Sequence, residues 1–134
     1  MARSVLFVCT HNAGRSQLAA GLLARYGGAG FEVTSAGTEP AEALNPAVVT
    51  AMLEEGIDLR DQEPKQLTPE LLRQADLVIT LGVDLTRFAP GSGYADWDFP
   101  DPASRRLETV RPIRDAIGRR VLQLLQELDA PVAA

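Results

Sequence analysis

Val5-Leu6-Phe7-Val8-Cys9-Thr10-His11-Asn12-Ala13-Gly14-Arg15-Ser16-Gln17 is the stretch on which the reading of this chain turns. Val5 to Val8 form a short, continuously apolar run, the pattern of a strand covered on both faces. Gly14-Arg15-Ser16 then opens a helix, in which Leu18, Leu22 and Tyr26 recur at spacings of four and Ala19 and Ala20 favour the helical state. Gly27-Gly28 ends it. Strand, tight loop and helix follow one another with no spare residues.

Outward from this unit the same alternation continues. Phe31 to Ala36 reads as a second strand closed by Gly37, and Asn45-Pro46 as a helix start, with Asn as N-cap and Pro at the first helical position. That helix is expected to run to Gly56, with Val48, Val49, Met52 and Leu53 on its apolar face. Thr68-Pro69 repeats the start signal for a short helix through Leu72, and Leu77 to Leu81 reads as a third buried strand. A fourth short strand is expected at Asp96 to Phe99 in a loop-rich stretch from Asp84 to Asp101. Val110, Ile113, Ile117, Val121, Leu124 and Leu128 predict a last helix, with Thr109 as N-cap, followed by a fraying tail from Pro131. Strands alternating with helices imply parallel pairing and helices on both faces of the sheet. The 134 residues suit one domain, 1–134, with an ordinary core drawn from 46% apolar residues.

In such a sheet ligands bind at the carboxyl ends of the strands, and the Cys9 loop leaves one of them. The spacing Cys-x5-Arg lets backbone N–H groups of Thr10, His11, Asn12, Ala13, Gly14 and Arg15 converge on one point at a helix N-terminus. Gly14 allows close wrapping or a positive φ, and Asn12 tolerates the left-handed region. Arg15 offers a planar fork for two oxygens of a tetrahedral oxyanion. The same positive potential stabilises a Cys9 thiolate, to which Ser16 can donate a hydrogen bond. A lone cysteine is elsewhere most often a small buried hydrophobe. Displacing an oxygen from an oxyanion needs a proton donor. Asp96, Asp98 and Asp101 are the candidates, and Asp101 is preferred because Asp101-Pro102 fixes a turn; a solvated turn acid is the alternative. The single histidine, His11, is expected to point to solvent, and Trp97 and Phe99 either wall the pocket or belong to the core.

Bulk properties exclude other classes. A net charge of −5 argues against a nucleic-acid partner. No apolar run reaches the 18 or more residues of a membrane span, and the N-terminal run lacks a signal-peptide pattern, so a cytoplasmic protein is expected. One cysteine forbids an internal disulfide and a thiolate-rich zinc site, and no metal is expected.

These residues resemble the low-molecular-weight protein tyrosine phosphatase superfamily and, within it, the arsenate reductases. The likeness runs through Val5–Thr10, Asn12, Arg15-Ser16-Gln17, Thr34–Gly37, Asn45-Pro46, Ala75–Leu81, Asp101-Pro102-Ala103 and Arg114–Ile117. It implies a doubly wound domain with a four-stranded parallel sheet in the order 2-1-3-4. It implies Cys9, Arg15 and Asp101 as catalytic residues, the 10–15 loop as the oxyanion site, and Asn12 and Ser16 as its supports. Gln17 stands where phosphatases usually carry Pro, and Ala103 where they carry a substrate-stacking Tyr. Thioredoxin-coupled relatives carry two further cysteines after the third strand; here Gly82 and Ala89 stand in their place. The resemblance therefore points to the single-cysteine branch, with no bound cofactor and an external small thiol, mycothiol favoured, as co-substrate. Its partners are then arsenate, with phosphate or sulfate as mimics, that thiol, and a redoxin such as mycoredoxin. Gly82 is expected to leave room for the thiol beside the anion. Some three-cysteine relatives hold potassium with a Glu of the first helix; Ala20 takes that place, so no such site is expected. The alternatives are a phosphatase for phosphotyrosine or small phosphate esters, and a non-catalytic oxyanion-binding module.

Overall fold

The computed structural model describes residues 2–86 and 94–133. Ala89, one of the two positions read above as lacking a thiol, lies outside the described residues. The strand at the heart of the fold is β1 (Arg3–Cys9), and the helix that follows its loop is α1 (Arg15–Gly27). They are succeeded by β2 (Phe31–Gly37), α2 (Pro46–Glu54), α3 (Pro69–Gln74), β3 (Leu77–Thr80), β4 (Ala95–Asp96) and α4 (Leu107–Glu127). The described strands form a four-stranded, all-parallel sheet in the order β2-β1-β3-β4, as the resemblance implied.

β1 lies inside the sheet because alternate residues face two separate apolar clusters. Val5 and Phe7 join Leu18, Leu22, Val48, Ile117 and Val121 on the side of α1, α2 and α4. Leu6 and Val8 join Ala36, Leu67 and Leu85 on the other side, where Leu71 and Leu72 of α3 also pack. Burial on both faces explains why β1 reads as a continuous apolar run and not as an alternation. Side chains at each predicted start cap their helices: Asn45 Oδ1 accepts from the Ala47 N–H at 3.0 Å and Thr68 Oγ1 from the Leu71 N–H at 3.2 Å.

Three expectations are corrected. The last helix begins at Leu107, with Arg106 and not Thr109 at its N-cap, because the Arg106 carbonyl already accepts from the amides of Thr109 and Val110 at 2.9 and 3.0 Å. The fourth strand is Ala95–Asp96. Its pairing ends after the Trp97 N–H reaches the Thr80 carbonyl at 2.7 Å, since Trp97 turns into the core and Pro100 and Pro102 have no N–H to offer a ladder. The tail does not fray freely: the Ala133 N–H donates to the Tyr26 carbonyl at 2.7 Å and ties it to α1.

The strand order changes direction at β1, with β2 on one side and β3 on the other. The crevice outside the carboxyl ends of β1 and β3 is thus the switch point of the sheet. Cys9 closes β1 and Gly82 follows β3 there, held together where the Leu81 N–H donates to the Val8 carbonyl at 2.8 Å.

Candidate active site

The loop after β1 is pinned from outside by the segment that follows β2. The carbonyls of Cys9, Thr10, His11 and Ala13 accept from the amides of Thr38, Glu39, Ala41 and Asn45 at 3.2, 2.8, 3.0 and 3.0 Å. With those carbonyls turned outward, the peptide N–H groups face inward. Among the described residues no acceptor takes the N–H of His11, Ala13, Gly14 or Arg15. Unpaired amides around one point at a helix N-terminus are what a tetrahedral oxyanion requires.

Cys9 is 3% exposed and sits at the floor of this nest. Its Sγ accepts from the Asn12 N–H at 3.3 Å and lies 2.9 Å from Ser16 Oγ. Asn12 Nδ2 donates to that same Ser16 oxygen at 2.7 Å. A serine oxygen already accepting from an amide keeps its own proton for the sulfur, so the chain Asn12 to Ser16 to Cys9 delivers a donor to Sγ. Asn12 adopts φ 51°, the left-handed conformation its side chain was expected to allow, and is fully buried. Gly14 has a φ of −139°, so its value lies in close approach and not in a positive φ. A Cβ there would meet Pro102 Cγ at 2.7 Å.

Arg15 swings its guanidinium over the β3 end of the crevice. Nη1 donates to the Phe99 carbonyl at 3.3 Å and Nη2 lies 3.5 Å from Asp101 Oδ2. Gly82, at φ 73°, presents its bare Cα to this guanidinium, and a Cβ would come within 3.2 Å of Arg15 Cζ and overlap Nη1. The expected opening for a thiol at Gly82 is therefore absent; the arginine fills it. Asp101, with its side chain 47% exposed, faces Cys9 across a cavity of about 410 Å³. Its Oδ1 accepts from the Ala103 N–H at 2.9 Å, the Asp-Pro turn read from the sequence. Asp96 is instead engaged with Thr80 Oγ1 at 2.5 Å, and Asp98 is exposed. Neither lines that cavity. His11 is exposed at its rim and Trp97 is buried in the core beside Phe7.

A family model described as low molecular weight phosphotyrosine protein phosphatase matches residues 4–134. The chain belongs to that family. It is 39% identical over 127 residues to an arsenate reductase of Halalkalibacterium halodurans, covering 87% of this chain and 91% of that protein. Among solved structures it resembles a thioredoxin-dependent arsenate reductase of Corynebacterium glutamicum, with 37% identity and a TM-score of 0.81. That match covers 96% of this chain but only 62% of the Corynebacterium protein. An arsenate reductase in a phosphate-binding state matches at 31% identity and a TM-score of 0.80, over 93% of this chain and 98% of that one.

Several residues of this family member support the site without having been singled out for it. Gln17 is 2% exposed, and its Nε2 donates to both the backbone oxygen and Oδ1 of Asn12 at 3.2 Å. The Lys65 N–H donates to the same Oδ1 at 2.9 Å, while burial pushes the Lys65 ammonium below its ordinary value. Asn45, read as a helix cap and as part of the resemblance, also donates from Nδ2 to the Pro102 carbonyl at 2.9 Å and so holds the Asp101 turn against the loop. The single signal in the chain was Gln17 in place of the phosphatase Pro; the contacts of Lys65 and Asn45 leave no local pattern.

Proposed function

We propose that this chain is an arsenate reductase of the arsenate–thiol transferase type. The observation that carries the reading is one nucleophile facing one acid across an anion nest, in 134 residues that contain no second cysteine. The inward amides and Arg15 hold three oxygens of arsenate. The Cys9 thiolate forms a bond to arsenic as an As–OH bond breaks, and Asp101 gives the departing hydroxide its proton, so water leaves. The thiolate of a small external thiol then attacks arsenic and Cys9 departs as thiolate. Arsenic is still As(V) in the released adduct. The two-electron reduction follows when a redoxin thiolate attacks the adduct's sulfur, releasing arsenite and leaving a mixed disulfide.

Relatives named arsenate reductases support the substrate, and Ala103 in place of a stacking Tyr removes a contact an aryl phosphate would use. Phosphate and arsenate share shape and charge, so hydrolysis of small phosphate esters is the second reading. The relative described as thioredoxin-dependent extends well beyond the part this chain matches. The test is arsenate turnover by the purified protein with mycothiol, glutathione, bacillithiol or thioredoxin as thiol source. Multiple turnovers are expected with a small thiol plus its redoxin. Sustained turnover with thioredoxin and its reductase alone would overturn the reading.

A further inference from the structure

The proposed proton transfer needs two elements to keep register: the nest that holds the anion and the turn that carries Asp101. The turn is not self-supporting. Asp101 and its neighbours Ala103, Ser104 and Arg105 are exposed, and Ser104 stands at φ 59°, a left-handed conformation that serine rarely adopts unless its surroundings impose it. Asp101 Oδ1 accepts from the Ala103 N–H at 2.9 Å, the Pro102 carbonyl from the Arg105 N–H at 3.1 Å, and the Asp101 carbonyl from Arg105 Nε at 2.8 Å. These bonds fix the shape of the turn but not its distance from the nest.

Among the described residues, two side chains bridge nest and turn by hydrogen bond or ion pair. Arg15 is the first, through the Phe99 carbonyl at 3.3 Å and Asp101 Oδ2 at 3.5 Å. Both contacts weaken at the moment of use. An Asp101 that carries its proton has lost the charge that attracts Arg15, and the oxygens of the anion claim the same guanidinium. Asn45 is the second. Its N–H donates to the Ala13 carbonyl of the nest at 3.0 Å, its Oδ1 accepts from the Ala47 N–H at the start of α2 at 3.0 Å, and its Nδ2 donates to the Pro102 carbonyl at 2.9 Å. Pro102 is buried, and its ring closes on Gly14, where a Cβ would meet Cγ at 2.7 Å. These contacts are all uncharged, so none depends on the protonation of Asp101 or on an anion in the nest.

We propose that Asn45 is a positioning residue for the general acid: its side-chain amide spaces the Asp101 turn from the nest and keeps the carboxyl aimed at the departing oxygen after Arg15 has turned to the anion. The inference rests on the acid role given to Asp101 above and adds the group that holds that acid in place. The step itself is unchanged. The Asp101 proton goes to the hydroxide that leaves arsenic, and Asn45 gives up neither proton nor electron.

Asn45→Ser separates this role from helix capping. Serine caps a helix about as well as asparagine but has no second arm for the Pro102 carbonyl. Arsenate turnover, phosphate affinity by calorimetry and melting temperature are measured for the native protein, Asn45→Ser, Asp101→Asn and the double variant. Asn45→Ser should lower kcat by about tenfold, the effect of one lost hydrogen bond, while phosphate affinity and melting temperature stay nearly native. In the Asp101→Asn background the same substitution should cost less than about twofold, because no proton is left to position. A purely structural role would lower kcat equally in both backgrounds or weaken phosphate binding, and either result overturns the proposal. Asn45→Asp, which keeps the cap and replaces the donor by an oxygen, is the second variant. A fall in kcat of about tenfold or more supports the role, and a kcat within about twofold of the native value overturns it. If Asp101→Asn leaves kcat unchanged, the acid assignment fails and the role of Asn45 falls with it. If Asp101→Asn is damaging and Asn45→Ser is silent or additive, the role of Asn45 alone fails. If the native protein hydrolyses phenyl phosphate and does not turn over arsenate, the transfer reading fails, and the same four-way comparison on the ester decides Asn45.

Discussion

The Cys9–Ser16 loop and the Asp101–Ala103 turn meet across one cavity but are built on opposite plans. Cys9 is buried, and its neighbours Asn12 and Ser16 are fully buried and joined by hydrogen bonds of 2.7 and 2.9 Å. Asp101 is half exposed, on a turn closed by its own Oδ1, and its contact with Arg15 is a long 3.5 Å. A tightly wired nest keeps donors aimed at charge without reorganisation. A looser, wetter acid can release and regain its proton from solvent between turnovers. On the proposed reaction, rigidity is concentrated where charge would be stabilised, and access where a proton would be exchanged.

The sharpest way to break this contrast is to remove each partner in turn. Cys9→Ser is expected to abolish arsenate turnover, by about 10⁴-fold or more, since a hydroxyl in the same nest is not ionised at neutral pH. Steady-state arsenite release measures it, and activity within tenfold of the native protein would assign the chemistry elsewhere. Asp101→Asn should lower kcat by about 10²–10⁴-fold while phosphate affinity of the nest stays nearly the same. Asp98→Asn should do much less; if it proves the damaging change, the wrong carboxylate has been assigned.

Gly82→Ala probes the joint between the two regions. A Cβ there strains a positive φ and displaces the Arg15 guanidinium. The expected result is a rise in KM for arsenate of about 10–100-fold with a smaller loss in kcat. Ser16→Ala tests the wiring alone. It removes the hydroxyl donor to the sulfur, and iodoacetamide alkylation of Cys9 at pH 7 should slow by about tenfold.

The smallest effect is a control remote from both regions. Hydrogen bonds from Arg111 and then Arg114 hold the Glu54 carboxyl down at about 2, from 4.5, and join α2 to α4. A carboxyl depressed in the folded state contributes stability above its unfolded value and loses it as pH falls through the folded one. The melting temperature of the native protein should therefore drop between pH 5 and about pH 2 more steeply than that of Glu54→Gln. The difference should shrink with added salt, because this pair stands near the surface.

Much of this architecture was legible where the chemistry is local. The apolar run at Val5–Val8, the caps at Asn45 and Thr68 and the Asn12 conformation each depend on a few neighbouring residues, and the structure has them as read. Thr109 misled because a capping residue type is informative only if the preceding backbone has not already turned; here the Arg106 carbonyl had turned it, accepting from the Thr109 and Val110 amides. Gly82 misled because a missing side chain reads as space, and a long arginine from another element had taken that space.

By itself the sequence determined the nest: sulfur, amides, arginine and hydroxyl support lie within eight consecutive residues, Cys9 to Ser16, between a strand and a helix. Backbone geometry over so short a span leaves few ways to arrange them. Only the tertiary structure decided which carboxylate faces the sulfur, which side of the nest stays open and what holds Asn12 from behind. Those choices join residues far apart in the chain, such as Arg15 with Asp101 and Gly82, Asn45 with Pro102, and Lys65 with Asn12. They follow from how β1, β3 and the loops beyond them pack at the switch point, where contact is set by the sheet order and not by spacing along the chain.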